Sequence, residues 1–131
     1  MKKGLFSLFF LFCACASAKI DIIQTGPWFP EKKKKSLEIF SDRNKIKKPF
    51  GAIAIIHSER YLCSDKNHKK HIDKAAEVAA KTGADALVYA VGEYAAELNP
   101  GIPPECYLSA MAVKYVDKEK GSENEKNKNS F

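Results

Sequence analysis

Residues 72–91 read Ile72-Asp73-Lys74-Ala75-Ala76-Glu77-Val78-Ala79-Ala80-Lys81-Thr82-Gly83-Ala84-Asp85-Ala86-Leu87-Val88-Tyr89-Ala90-Val91, and this stretch decides the fold. Ile72, Ala75, Ala76 and Ala79 recur at helical spacing, while Asp73, Lys74, Glu77 and Lys81 fall on the opposite side. Gly83 stands where a helix needs a left-handed residue to stop. The apolar run after it, rich in β-branched and aromatic residues, predicts a strand buried on both faces. A helix faced mostly with alanine has little bulk and can lie close against a sheet. The pattern is that of a helix feeding a central strand.

Working outward toward the N-terminus, Pro49-Phe50-Gly51 opens a second apolar run, Ala52-Ile53-Ala54-Ile55-Ile56. Before it, Leu37 and Ile39 alternate with Glu38, the pattern of a half-buried edge strand over residues 36–40. Asp65 or Asn67 is the expected helix cap. Beyond the third strand comes a long loop marked by Pro100-Gly101 and Pro103-Pro104. The last strand follows at residues 107–116, with Tyr107, Met111, Val113 and Tyr115 on one face and Leu108, Ala110, Ala112 and Val116 on the other. The expected fold is α+β: one small domain over residues 36–116, in the order β-β-α-β-β. Its four-stranded sheet, mixed or antiparallel, carries one main helix on one face. A single helix leaves the other face to the N-terminal arm, to solvent or to a partner.

The chain has 131 residues, which is room for one domain. Residues 1–18 are expected to be a secretory signal peptide, with Lys2 and Lys3 before an apolar run and Ala16-Ser17-Ala18 as a cleavage site. Cleavage after Ala18 would start the mature chain at Lys19. Alternatively Phe12-Cys13-Ala14-Cys15 resembles a bacterial lipobox, with cleavage before Cys15 and acylation of that cysteine. Either ending places the protein outside the cytoplasm, in the periplasm or lipid-anchored at the outer membrane of a Gram-negative type of envelope.

The net charge of +6 is unevenly spread. Residues 19–50 carry nine basic and four acidic side chains, whereas residues 51–116 carry seven and eight. Lys32, Lys33, Lys34 and Lys35 repel one another, so residues 19–35 read as a basic disordered linker able to touch an anionic membrane surface. Within it Trp28 and Phe29 are expected to dock on the domain. Export removes nucleic acid as the partner of this charge. Residues 117–131, four basic against four acidic without periodicity, read as a disordered tail.

Cys63 and Cys106 are the two cysteines left after the leader. In an oxidising compartment, a pair in so small a domain is most simply a disulfide. A free thiol, or a metal site with His57, His68 and His71, are the competing readings. A zinc site asks for four ligands at recognisable spacing, and no Cys-x-x-Cys or His-x-x-x-His pair occurs. The remaining candidate for catalysis is Cys63 with His57 or His71, and a bridged Cys63 has no thiolate. Asp85, at the helix–strand junction, is expected to cap the turn. The chain is therefore not expected to be an enzyme, and no cofactor is expected.

Cys63 before the helix, Gly83-Ala84-Asp85-Ala86-Leu87-Val88 into a strand, and Pro104-Glu105-Cys106-Tyr107 opening the last strand resemble the RcsF family of stress-sensing outer-membrane lipoproteins. The helix-to-strand turn also resembles the YbjQ family of small metal-binding proteins. The first likeness implies a Cys63–Cys106 bridge and a basic arm tethering the domain to a membrane through Cys15. An unidentified envelope protein is expected as partner from the leader, the arm and the uncovered sheet face together. The family's second bridge would fall near Gly92 and Ala112, which are not cysteines. The second likeness implies a small periplasmic domain for metal or another ligand.

Overall fold

In the computed structural model, residues 18–94 and 101–116 are described. The expected leader with Cys13 and Cys15, part of the proline-marked loop, and the segment from residue 117 expected to be a tail lie outside the described residues. Helix α1 (Asp65–Lys81) begins at Ser64, whose hydroxyl accepts the Asn67 N–H at 3.1 Å. The cap is thus Ser64, one position before the expected Asp65, which instead sits in the first turn beside the positive end of the helix dipole. The helix ends at Thr82, and Gly83 follows with φ of 77°.

Among the described residues six strands form one mixed sheet: β1 (Ile20–Gln24), β2 (Glu38–Phe40), β3 (Phe50–Ser58), β4 (Tyr61–Leu62), β5 (Ala86–Tyr94) and β6 (Glu105–Tyr115). Their order is β1-β3-β6-β5-β2, with β4 also pairing with β6. All pairs are antiparallel except β2 with β5, which run parallel. The expectation of a small α+β domain with one main helix holds; the strand number is six rather than four, and β6, not β5, lies at the centre. The two unforeseen strands are β4, only two residues long, and β1, from the segment read as a linker.

Residues 19–35 are not a disordered linker, because their backbone has partners along the domain. β1 pairs residue by residue with β3, from Ile20 opposite Ser58 to Gln24 opposite Ala54. Ile20 and Ile22 pack against the core, where burial of alternate isoleucines holds the register. The chain then crosses the end of the sheet, with the Thr25 and Gly26 N–H groups donating to the Ile53 carbonyl. Further on, the Phe29 N–H donates to the Thr82 carbonyl and the Lys32 N–H to the Ala80 carbonyl, each at 2.9 Å. A helix leaves its last carbonyls without intrahelical donors. Here the arm supplies two of them.

The core lies between α1 and one face of the sheet. Ala75, Ala76 and Ala79 meet Ala54 and Ile56 of β3, Leu87 of β5, and Cys106, Leu108, Ala110 and Ala112 of β6. Small residues on both sides let helix and sheet approach closely. β5 is buried on both faces only at Ala86 and Leu87; from Ala90 to Tyr94 it is mostly exposed. The register explains this, since its second half runs beyond the three residues paired with β2.

Among the described residues no helix covers the second face of the sheet. Ile23, Ile55, Val88, Met111 and Tyr107 share that face by the pairing registers. Residues 41–49 approach one end of it, where Arg43 lies 5.4 Å from the Phe50 ring centre and Lys48 lies 4.8 Å from that of Tyr115. Gly92 pairs with Tyr107 on this face, and Ala112 pairs with Leu87 on the other. Those two positions could not carry a bridge whatever residues they held.

Candidate interaction surfaces

Cys63 and Cys106 are joined in a disulfide with a Cα–Cα distance of 5.1 Å. The bond ties the residue before the helix cap to the start of the central strand. Beside it the Cys63 N–H donates to the Pro104 carbonyl at 3.1 Å, and Tyr61 of β4 pairs with Cys106. The sulfur of Cys63 is therefore committed, and the nucleophile considered for it is absent in this form.

The three histidines do not converge. His57 is exposed on β3, paired with Ser109 and Asp21. His68 and His71 share one side of α1, and Tyr61 lies against both. The Tyr61 ring stacks on His71 at 3.8 Å, and its hydroxyl meets His68 Nδ1 at 2.9 Å. His71 Nδ1 donates to the Asn67 carbonyl at 2.7 Å. Burial pushes the Tyr61 hydroxyl pKa above its ordinary value. Among the described residues no group of three or more His, Cys, Asp or Glu is placed to hold a metal ion.

Asp85, expected to cap its turn, instead binds across the fold. Its carboxylate accepts hydrogen bonds from the Lys32 and Lys114 ammonium groups on one oxygen and from the Tyr115 N–H, at 2.8 Å, on the other. Lys114 also donates to the Gly83 carbonyl at 3.1 Å and sits 4.7 Å from the Phe29 ring centre. Arm, helix end and central strand thus meet at one carboxylate. Lys32, read from sequence as part of a membrane-contacting run, is spent on this pair, while Lys34 makes an exposed pair with Asp73 at 3.6 Å. Phe29 and Trp28, both expected to dock, remain 38% and 46% exposed; the arm is held here by the Phe29 N–H on Thr82 and by Lys114 over the Phe29 ring.

Burial disfavours the charged form of Asp85, but the bonds from Lys32, the Tyr115 N–H and Lys114 outweigh it and hold the carboxyl below its ordinary value. The hydrogen bond to Asp85 raises Lys32 correspondingly. A lowered carboxyl contributes stability that is complete above its unfolded pKa of about 3.9 and is lost as pH falls through the folded value. The raised lysine contributes stability below about pH 10.4, lost only as pH rises through its folded value. Asp85→Asn is expected to cost about 1–2 kcal/mol at pH 7, below the range for a fully buried pair because Lys32 is partly solvated. Urea melts from pH 2 to 7 check this. The gap between the two proteins should close at the acid end, and a constant gap would rule out the ionised carboxylate as its source.

The described residues contain no helix long and apolar enough to cross a membrane. Of the apolar groups at least 40 % exposed, Ile23, Leu62, Tyr94, Ile102 and Tyr107 lie at the far end of the sheet and on its open face, and Trp28, Ile39 and Val116 lie elsewhere. Arg60 stacks on Tyr94 at 3.6 Å and pairs with Glu105 at 3.8 Å. Nearby, on the open face, Arg43, Ile55, Val88, Ala90, Ser109 and Met111 line a shallow trough. Sequence reasoning found the uncovered face by counting helices. It did not find which residues furnish it, because that depends on the β3–β6–β5 register.

The fold and its surfaces define a small α+β domain, one helix over a mixed six-stranded sheet, with a disulfide at one end and an apolar face left open. No protein-family model matches the sequence, and no curated protein matches it. Among solved structures the chain is similar to the Francisella virulence factor FvfA, at 14% identity and a TM-score of 0.55. The match covers 73% of this chain and 97% of that one. At that identity the likeness is one of fold.

Proposed function

We propose that this chain is an exported cell-envelope protein that works without catalysis, as an interaction or stress-sensing lipoprotein of the kind the RcsF family represents. In this reading the leader carries the chain out of the cytoplasm, Cys15 holds it to the outer membrane, and the open sheet face engages an envelope protein. The observation that carries the reading is that face. Ile23, Ile55, Val88, Met111 and Tyr107 form an apolar surface on a domain whose core is complete without it, and such surfaces on small domains mark contact sites.

The test compares the wild-type protein with an Ile55→Asp/Met111→Asp variant, expressed with the leader intact and crosslinked in living cells. Melting curves first establish that the variant is folded. A band present for the wild type and weakened at least fivefold in the variant is the expected result. Equal crosslinking by both proteins, or none by either, would refute the assignment of this face. Intact mass of the membrane-extracted protein separately reports acylation at Cys15 against a start at Lys19.

A further inference from the structure

Lysines of the arm and of α1 other than Lys32 gather on the helix side, around the point where the chain enters the domain, where Lys34 pairs with Asp73 and both Lys74 and Lys81 pair with Glu77. Ala18, the first described residue, lines a depression with Lys34, Lys70, Asp73, Lys74 and Glu77. An adjoining depression is lined by Lys33, Lys35 and Lys81 with Glu31 and Glu77. The outer face of α1 and the folded arm therefore form one surface, and it carries six of these lysines against three carboxylates. Folding of the arm matters here. A lysine run on a free linker would be an unplaced charge, whereas this one is held against the helix.

We infer that this helix-and-arm surface is the side on which the domain lies against an anionic phospholipid membrane. The inference rests on the anchored reading above and adds an orientation to it. Cys15 precedes Ala18 by three positions, a reach of about 10 Å even when fully extended. A lipid on Cys15 brings the membrane up to the surface on which Ala18 sits. That surface is basic, as attraction to anionic headgroups requires. The open apolar face lies on the opposite side of the sheet from α1 and is left facing away, free for a protein partner. The two faces thus divide the work.

Lysine footprinting tests this on the mature chain from Cys15. Its single free thiol can be coupled to a maleimide lipid, so the result does not depend on natural acylation. Coupled protein on vesicles of phosphatidylcholine with 30 % phosphatidylglycerol, treated with a water-soluble acetylating reagent, should show Lys34, Lys35, Lys70 and Lys74 protected at least fivefold. Lys45, Lys47 and Lys48, on the connection beside the open face, should react as in solution. On vesicles of phosphatidylcholine alone the protection should be lost. Protection of Lys45, Lys47 and Lys48 instead, or equal labelling of both sets, would overturn the orientation. A second measurement uses the uncoupled chain from Lys19. Lys33→Gln/Lys35→Gln/Lys81→Gln should weaken its binding to the anionic vesicles at least tenfold, against less than twofold for Lys45→Gln/Lys47→Gln/Lys48→Gln. The reverse ranking would sink the proposal even if Cys15 proves to be acylated.

Discussion

Replacing Cys63 and Cys106 together by alanine is expected to remove about 4 kcal/mol of stability. The bond spans a sequence separation of 43, and the chain-entropy relation assigns a loop of that size a cost of this order when it is left open in the unfolded state. Alanine is the informative replacement. Cys106 is only 4 % exposed within the apolar cluster, and serine would add a buried hydroxyl to the lost bond. For a domain of under 100 residues, a loss of this size lowers Tm by roughly 20 °C. The measurement is a pair of thermal melts, of the wild type with and without reductant and of the double variant. Reduced wild type and variant should coincide, and oxidised wild type should stand well above both. A second readout is local. The bond holds β4 beside β6, so its loss should first expose the Tyr61 and His71 region to hydrogen exchange. A melt unchanged by reductant would mean the two sulfurs do not staple the native domain.

That bond is legible in the sequence, because two cysteines in a small domain expected to be exported have few other uses. The helix was equally plain, since Ile72, Ala75, Ala76 and Ala79 repeat at its own period and nothing polar interrupts them. The strand pair β5 and β6 followed from apolar runs ending at glycine and proline. What the sequence concealed was nearly all non-local. The arm shows a run of four lysines, and charge reports where side chains go, not where backbone N–H groups find acceptors. Phe29 and Lys32 donate to helix carbonyls some 50 residues away, and no periodicity encodes that. Asp85 is a similar case. Its partners lie 53, 29 and 30 positions distant, so the carboxylate looked like a turn residue until the three elements were assembled. β1 is disguised by its setting, because Ile20, Ile22 and Ile23 sit between a stretch that reads as a leader and the Gly26-Pro27-Trp28-Phe29-Pro30 segment. The parallel pairing of β2 with β5 could not be read either, as three residues carry too little pattern to fix a neighbour.

The folded arm makes Gly83 the position where one added methyl group should do most damage. With φ at 77°, alanine there meets the steric penalty of the left-handed region, roughly 1 kcal/mol. The larger cost is contact. A Cβ on Gly83 would stand 2.6 Å from the carbonyl oxygens of both Phe29 and Pro30, and these are backbone atoms that cannot swing aside. Relief requires the arm to lift, which breaks the bonds from Phe29 to Thr82 and from Lys32 to Ala80 and separates Lys114 from the Phe29 ring. Gly83→Ala is therefore expected to cost about 3 kcal/mol, in the upper range for a single substitution. It should also act on a reporter that a helix-end defect alone would leave still. Trp28, the chain's one tryptophan, adjoins Phe29, and its emission should shift to the red as the arm leaves the surface. Gly101→Ala supplies the comparison, since its φ of 107° is also positive but nothing lies within 4 Å of the added atom. Its cost should stay near 1 kcal/mol, with Trp28 unchanged. If Gly83→Ala matches Gly101→Ala in both stability and emission, the arm is not seated on the helix end. Lys32 would then return to the solvated run from which its pairing with Asp85 removed it.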